Sequence, residues 1–423
     1  MVIKKLVSIV VAFLFLLPCV LMAQAVKTDT LSLSMDEAQD IFLKKNLTLL
    51  ANKYNIDINK ALVEQSKVWD NPILNTDQNI YDGKFFQHNK DRGQVYIQVQ
   101  QLIKTAGKIK KETQLANDNV MTATDQLNDL IRNLRFSVAS SMINLANLQS
   151  ADVILNNQLG LMNNLSSGMN EMFKIGDISE KENLRIKAMV FSLQNEINEN
   201  YLQQVELQKD LAVLLQLNDN VWIAVKPLNL INNVESISLH DLKMTAFTNR
   251  PDYLLQEHQK QYQQHYISFQ KALAVPDVTI ASEYDRRSSY MPNYFGLSIS
   301  LPLPLFNKNK GNIKAAELTY KQVDLGVQQL QNQIAKEVQA AFIKLLSMTT
   351  QIKKDNSILE NNYEKLMKNM TASYRSRQIN LLEFVDFFDS YKQVRLQQNQ
   401  MATNQLNAAA ELNYSINQNL IKF

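Results

Sequence analysis

Two long tracts of this chain contain nothing that would interrupt a helix. No proline occurs between Pro72 and Pro227, and none follows Pro304, so every residue in both tracts keeps the N–H that a helix needs. Apolar residues recur inside them at helical spacing. Leu127, Ile131, Leu134, Val138, Met142 and Leu145 form one seam. Leu330, Ile334, Val338, Ala341, Leu345, Met348 and Ile352 form a second, which resumes after a heptad at Leu359, Tyr363, Leu366 and Met370. Steps of three and four sustained this far describe a coiled-coil seam. A helix of about 60 residues is roughly 90 Å long. No single globular core needs such a length, whereas spanning a distance does.

Each tract has one break, at 174–179 and at 375–380, and helical sequence resumes beyond it. The tracts therefore fold back as antiparallel hairpins, with helices predicted at about 107–173 and 179–216, and at 311–374 and 380–417. The 423 residues hold only 9 glycines and 8 prolines, where average usage gives roughly 30 and 20, which disfavours loop-rich doubly wound folds. Surfaces outside the seams are rich in Gln and Asn. They suit either a helix wall wetted on one side or a solvated coiled coil.

The chain resembles itself at an offset near 204 residues. Leu33-Ser34-Met35-Asp36-Glu37 recurs as Ile237-Ser238-Leu239-His240-Asp241, each with a serine three before a carboxylate, the signature of a capped helix start. At the same offset Pro72 matches Pro276, Gly107 matches Gly311 and Ile109 matches Ile313. Phe173 to Ile178 then faces Tyr374 to Ile379 at an offset of 201, as one short deletion would produce. The repeats divide the chain at 24–227 and 228–423.

Each repeat also carries a strand pair. Phe295, Leu297, Ile299, Leu301 and Leu303 alternate with Gly296, Ser298, Ser300, Pro302 and Pro304, and Val95 to Gln100 alternate likewise. Strands are predicted at about 73–83, 93–103, 277–287 and 293–304. Four strands cannot close a barrel, and bare edges invite aggregation. The solutions are a small sheet on a helical core or a barrel shared between chains. Tyr81, Phe85, Phe86, Tyr284, Tyr290, Tyr294 and Phe295 cluster around these hairpins, as either an aromatic girdle or the packing of a small sheet.

Lys4-Lys5, an apolar run from Leu6 to Met22 and small residues at Ala23 and Ala25 form a secretory signal, residues 1–23, cleaved after Ala23 or Ala25. The only cysteine, Cys19, lies inside it behind Leu17-Pro18, a poor lipidation context. The mature chain then has no disulfide, thiolate metal site or catalytic thiol. The net charge of +3, lowered by the loss of Lys4 and Lys5, gives no support for nucleic-acid binding. His88, His240, His258 and His265 show no zinc spacing, and neither a nucleophile elbow nor a phosphate loop is present. His258 and His265, seven apart, read as neighbouring exposed residues on one helical face. The expectation is a protein that is not an enzyme and carries no cofactor or metal centre.

Together these features resemble the TolC-type outer-membrane efflux protein family across nearly the whole mature chain. The most specific pieces are Ser298 to Asn307 with Gly311, and the breaks holding Gly176-Asp177-Ile178 and Ile379-Asn380-Leu381-Leu382-Glu383. Leu47 departs from the proline that Arg250-Pro251 keeps, and Arg377 replaces a second glycine. The resemblance implies a mostly α fold with a small β part: a homotrimer whose strands make a twelve-stranded barrel in outer-membrane lipid, continued by a twelve-helix periplasmic tunnel. It implies a passive exit duct served by an inner-membrane pump and a periplasmic adaptor. The stretch Leu381 to Asp389 is similar to the metal-cation branch, which works with proton-driven pumps; drug efflux and type I protein secretion are the alternatives. A periplasmic structural coiled coil would explain the heptads but not the duplicated strand hairpins.

The resemblance makes the two breaks the periplasmic tips. Lys174, Gly176, Asp177, Ile178, Arg377, Gln378 and Ile379 become adaptor-contacting positions, and Glu383 with Asp386 the gate, as two stacked carboxylate rings that favour cations. Read from spacing alone, Glu383, Asp386 and Asp389 are equally an acidic helix start. Lys174, Arg375 and Arg377 are candidate latches to a neighbouring hairpin, or ordinary surface charges. Gly176 supplies a left-handed cap, and its bare backbone suits an adaptor tip.

Overall fold

A computed structural model describes residues 29–423 except 90, 219, 231–236 and 360–362; side chains are described for these except at 355–359, 363–365 and 368. The export signal and Cys19 lie outside the described residues.

Both halves run through two short helices, two strands and a long helical hairpin. In the first half these are α1 (Met35–Lys45), α2 (Leu47–Ser66), β2 (Ile73–Gln78), β3 (Val95–Ile103), α3 (Lys108–Lys174) and α4 (Glu180–Leu215). In the second they are α5 (Leu239–Asn249), α6 (Pro251–Leu273), β5 (Val278–Arg287), β6 (Pro292–Ser300), α7 (Lys310–Leu359), α8 (Tyr363–Arg375) and α9 (Leu381–Ile416). Sequence reading missed one small sheet, in which β1 (Asp29–Leu33) pairs in parallel with β4 (Val221–Val225). Five residues are too few for a period to register.

Repeat-equivalent positions do equivalent work. Ser34 accepts the N–H of Glu37 at 3.2 Å, and Glu37 accepts that of Ser34 at 2.7 Å; Ser238 caps α5 through Asp241. At the joint between the two short helices, the Asn46 amide donates to the Leu214 carbonyl at 3.0 Å. Its counterpart Arg250 donates to the Ser415 carbonyl at 3.3 Å, 204 and 201 residues on. Gly107 starts α3 at φ +67°, but Gly311 lies inside the first turn of α7 and Asn309 takes the left-handed position, at φ +55°.

The helices form a wall. α3 is its spine, with α2 and α4 end to end along one side and α6 and α9 along the other; α7 packs on the far side of α6 and α9. The seams are what the wall buries, with Val138, Met142, Leu145, Ile334, Val338 and Leu345 fully enclosed. Near the second tip the register shifts by one: Met367 is buried, whereas the expected Leu366 is exposed. Leu359 and Tyr363 fall outside the described side chains. Between α3, α6 and α7 lies a charge network built on two buried guanidinium groups. Arg250 contacts Asp252 at 2.6 Å and Glu337 at 2.7 Å, and Arg132 contacts Asp129 at 2.7 Å and Asp252 at 3.1 Å. Burial works against the charge of Asp252, but the two guanidinium groups overcome it and hold the carboxyl below its usual range.

The two hairpins join through β3 and β5 into one antiparallel sheet, ordered β2-β3-β5-β6. Directly paired residues share a face. One face carries Leu74, Ile97, Val99, Ile280, Leu297 and Ile299; the other carries Asn75, Gln98, Gln100, Glu283, Ser298 and Ser300. Of the two arrangements open to the sheet, a helical core beneath it is not what the described residues form: Phe295, Leu297 and Ile299 are 77%, 73% and 69% exposed. On the polar face the Tyr96 hydroxyl and the Gln98 amide donate to Glu283 at 2.8 and 3.1 Å.

Removing Arg250 leaves the half-buried carboxylates of Asp252 and Glu337 short of a partner. Arg250→Ala should cost about 3 kcal/mol of stability, measured by urea denaturation, and Asn46→Ala about 1 kcal/mol. Equal losses would contradict the charge network as the difference between the two joints.

Candidate functional site at the helix tips

Both hairpin tips are the same turn built twice. At the first, the Gly176 N–H donates to the Phe173 carbonyl at 3.0 Å and the Asp177 N–H to Met172 at 2.9 Å. At the second, the Arg377 N–H donates to Tyr374 at 3.0 Å and the Gln378 N–H to Ser373 at 2.8 Å. These paired bonds form a Schellman motif, which needs a left-handed residue after the helix. Gly176 meets that at φ +77° without strain, and Arg377 adopts φ +61°, at a cost of about 1–2 kcal/mol for an L side chain.

The following helix starts also match. Ser179 and Asn380 cap α4 and α9, each in a reciprocal box with Glu182 and Glu383. The Glu383 carboxylate accepts from the Asn380 N–H at 3.2 Å, so its first role is that of a helix-capping side chain. Glu182 carries more charge contacts. The Ser179 N–H and hydroxyl hold its carboxyl below the usual range, and Arg377 adds to the effect.

Arg377 ties the tips together. Its guanidinium donates to the Asp177 carbonyl at 2.9 Å and forms an ion pair with the Asp177 carboxylate. Of the expected latches, Arg377 thus reaches the other hairpin of its own chain. Lys174 instead pairs with Glu171 in its own helix at 2.7 Å. Arg375 is exposed on the rim of the groove between the tips.

That groove encloses about 880 Å³ and is floored by Leu165, Met169, Met172, Ile178, Ile379 and Leu381. Asp177, Arg377, Gln378 and Glu383 also line it, whereas Asp386 is exposed on α9 beyond it. Beneath the groove, Tyr374 stacks on Phe384 at 5.0 Å and Phe384 on Phe388 at 6.2 Å. Burial, with Glu182 nearby, pushes the Tyr374 hydroxyl up to about 12, and it points to the Met169 sulfur at 3.6 Å. Ser179-x-x-Glu182 was readable as a capping box. The stack has no signature because its rings come from two helices.

The histidines differ from expectation. His258 and His265 are half-buried, and each Nδ1 meets a buried carboxylate of α3, Asp125 at 2.5 Å and Asp118 at 2.6 Å. Heptad spacing on both helices brings the two pairs together. Among the described residues no group of three or more His, Cys, Asp or Glu is arranged to hold a metal ion, and no helix is long and apolar enough to cross a membrane.

The chain is thus a duplicated one, with an amphipathic four-stranded sheet and a helical wall ending in paired tips. Residues 244–418 match the family model described as outer membrane efflux protein. No curated protein matches the chain significantly. Solved structures share its fold: a membrane protein from Pseudomonas aeruginosa (16% identity, 90% of this chain and 93% of that one, TM-score 0.75); the Campylobacter jejuni CmeC outer membrane channel (13%, 90% and 85%, 0.75); and CusC (15%, 90% and 91%, 0.72), whose structures concern folding and transmembrane channel formation. The second repeat thus matches the outer membrane efflux protein family, and nine-tenths of the chain shares the fold of these solved structures.

Two variants separate the parts of the tip. Asp177→Asn keeps the turn and the Arg377 bond to the backbone carbonyl but removes the ion pair, so amide exchange should rise at 174–179 and 375–380 while the Tyr374 stack stays protected. Because the Glu182 carboxyl is held below its usual 4.5, its capping is complete above that value and is lost as pH falls through the lower folded one. Exchange at 179–183, corrected for intrinsic rates, should accelerate only in that acid window, and Glu182→Gln should abolish the transition.

Proposed function

We propose that three copies of this chain assemble into an outer-membrane exit duct, with twelve strands closed as a barrel and twelve helical segments continuing as a periplasmic tunnel. One observation carries the reading: a four-stranded antiparallel sheet with an exposed apolar face, a polar face and two unpaired edges. β2 and β6 are both edge strands. In lipid, unpaired backbone groups are costly, and only closure removes them. The helical wall has open margins to match. α2 leaves Tyr54, Ile58 and Leu62 exposed at steps of four, and α7 leaves Leu318 and Leu325 exposed at a step of seven.

The duct is passive, and a periplasmic adaptor and a proton-driven inner-membrane pump supply energy and cargo. The adaptor docks at the tip groove, lined by Ile178 from one hairpin and by Gln378 and Ile379 from the other, with Gly176 at the adjoining turn. Release of Arg377 from Asp177 lets the hairpins part. Glu383 and Asp386 line the mouth as rings of carboxylates, and metal cations are the first cargo to test.

A heat-modifiable trimer in the outer-membrane fraction is the expected result; a soluble extended dimer would reject the duct. In planar bilayers, Glu383→Ala with Asp386→Ala should shift selectivity away from cations, and unchanged selectivity would remove these residues from the gate. Deleting the gene should sensitise cells to zinc, copper or cobalt. Sensitivity only to bile salts or dyes would assign the duct to drug efflux.

A further inference from the structure

Where the strands pass into the helices, the chain concentrates lysine beside exposed apolar side chains. Lys104, Lys108, Lys110 and Lys111 follow β3, and Lys308, Lys310 and Lys314 follow β6. The pattern is duplicated, since Lys104 and Lys308, and Lys110 and Lys314, are 204 residues apart.

Some of these lysines serve the fold. Lys108 is buried on the Asp277 carboxylate at 2.6 Å, Lys104 lies 3.4 Å from Asp70, and Lys314 lies 3.9 Å from Glu317. Lys110, Lys308, Lys310 and Lys271 at the end of α6 are different. All four are exposed, and among the described residues none has a carboxylate within 4.0 Å.

The apolar partners are as specific. Leu301, Leu303 and Leu305 extend the alternation of β6, and Phe306 behind them is 99% exposed, two residues before Lys308. Trp69 lies exposed at the corresponding passage after α2. At the other end of the sheet the hairpins mix both signs, as in the approach of Arg287 to Asp82 at 3.8 Å.

An apolar face ending in an indole and a phenyl ring, and then in unpaired ammonium groups, has the layering of a bilayer boundary: acyl chain, interface, headgroup. We propose that this collar docks the anionic phospholipid headgroups of the periplasmic leaflet, seating the barrel at a fixed depth and orientation. The proposal rests on the barrel reading above. Each lysine near an anionic surface favours it by about fivefold, and the trimer presents the set three times.

The test uses the full mature chain, reconstituted into vesicles of equal parts phosphatidylglycerol and phosphatidylcholine, floated, extracted and weighed with its retained lipid by native mass spectrometry. The expected result is about tenfold enrichment of phosphatidylglycerol, falling to parity in Lys110→Gln/Lys271→Gln/Lys308→Gln/Lys310→Gln and kept in the matching arginine variant. Floated trimers that retain both lipids equally, or a glutamine variant that keeps the preference, would overturn the collar alone. Absence of the wild-type protein from the floated vesicles would overturn the barrel, and the collar with it.

Discussion

A strand edge presents N–H and C=O groups that must find partners, and the sheet of this chain has two such edges and, among the described residues, no covering layer. Much of the remaining architecture is arranged around that demand. The alternation of β6 sends one row of side chains to each face, so the sheet can separate an apolar medium from a wet one. The wall of helices below has the same open-sided character. In the proposed trimer, three such sheets would pair their edges and close into twelve strands.

Duplication supplied the segment, and the two copies meet the same local requirements with different chemistry. Asn46 and Arg250 both fasten a helix joint to a carbonyl near the end of the returning helix. The amide of Asn46 also caps α2 by accepting the Leu49 N–H. Arg250 instead recruits Asp252 and Glu337, and Pro251 after it needs no N–H partner at the helix start. What the repeats share is therefore a position and a bond, more than a residue.

The long helices, their breaks and the strand pairs were legible because each depends on a periodicity or a cap within one segment. Ser34 with Glu37, and Gly176 after Lys174, announce themselves locally. The β1–β4 pair does not, since two five-residue runs 192 residues apart specify their pairing only in three dimensions. The same limit hid the partners of His258 and His265: the acidic seam of Asp118 and Asp125 lies on another helix. Arg377 was legible as a departure from glycine, but its tie to Asp177 was not, because that contact crosses between hairpins.

The exchange of glycine for arginine at one tip has a geometric consequence. If both tips carried glycine, the mouth of a trimer would present six near-equivalent corners and approach sixfold symmetry. With Gly176 relaxed and Arg377 held in a left-handed turn by its neighbour's carboxylate, the corners alternate in charge and stiffness. Any ring-shaped partner of the proposed trimer would meet two kinds of seat in turn, and so would have three equivalent ways to sit down rather than six.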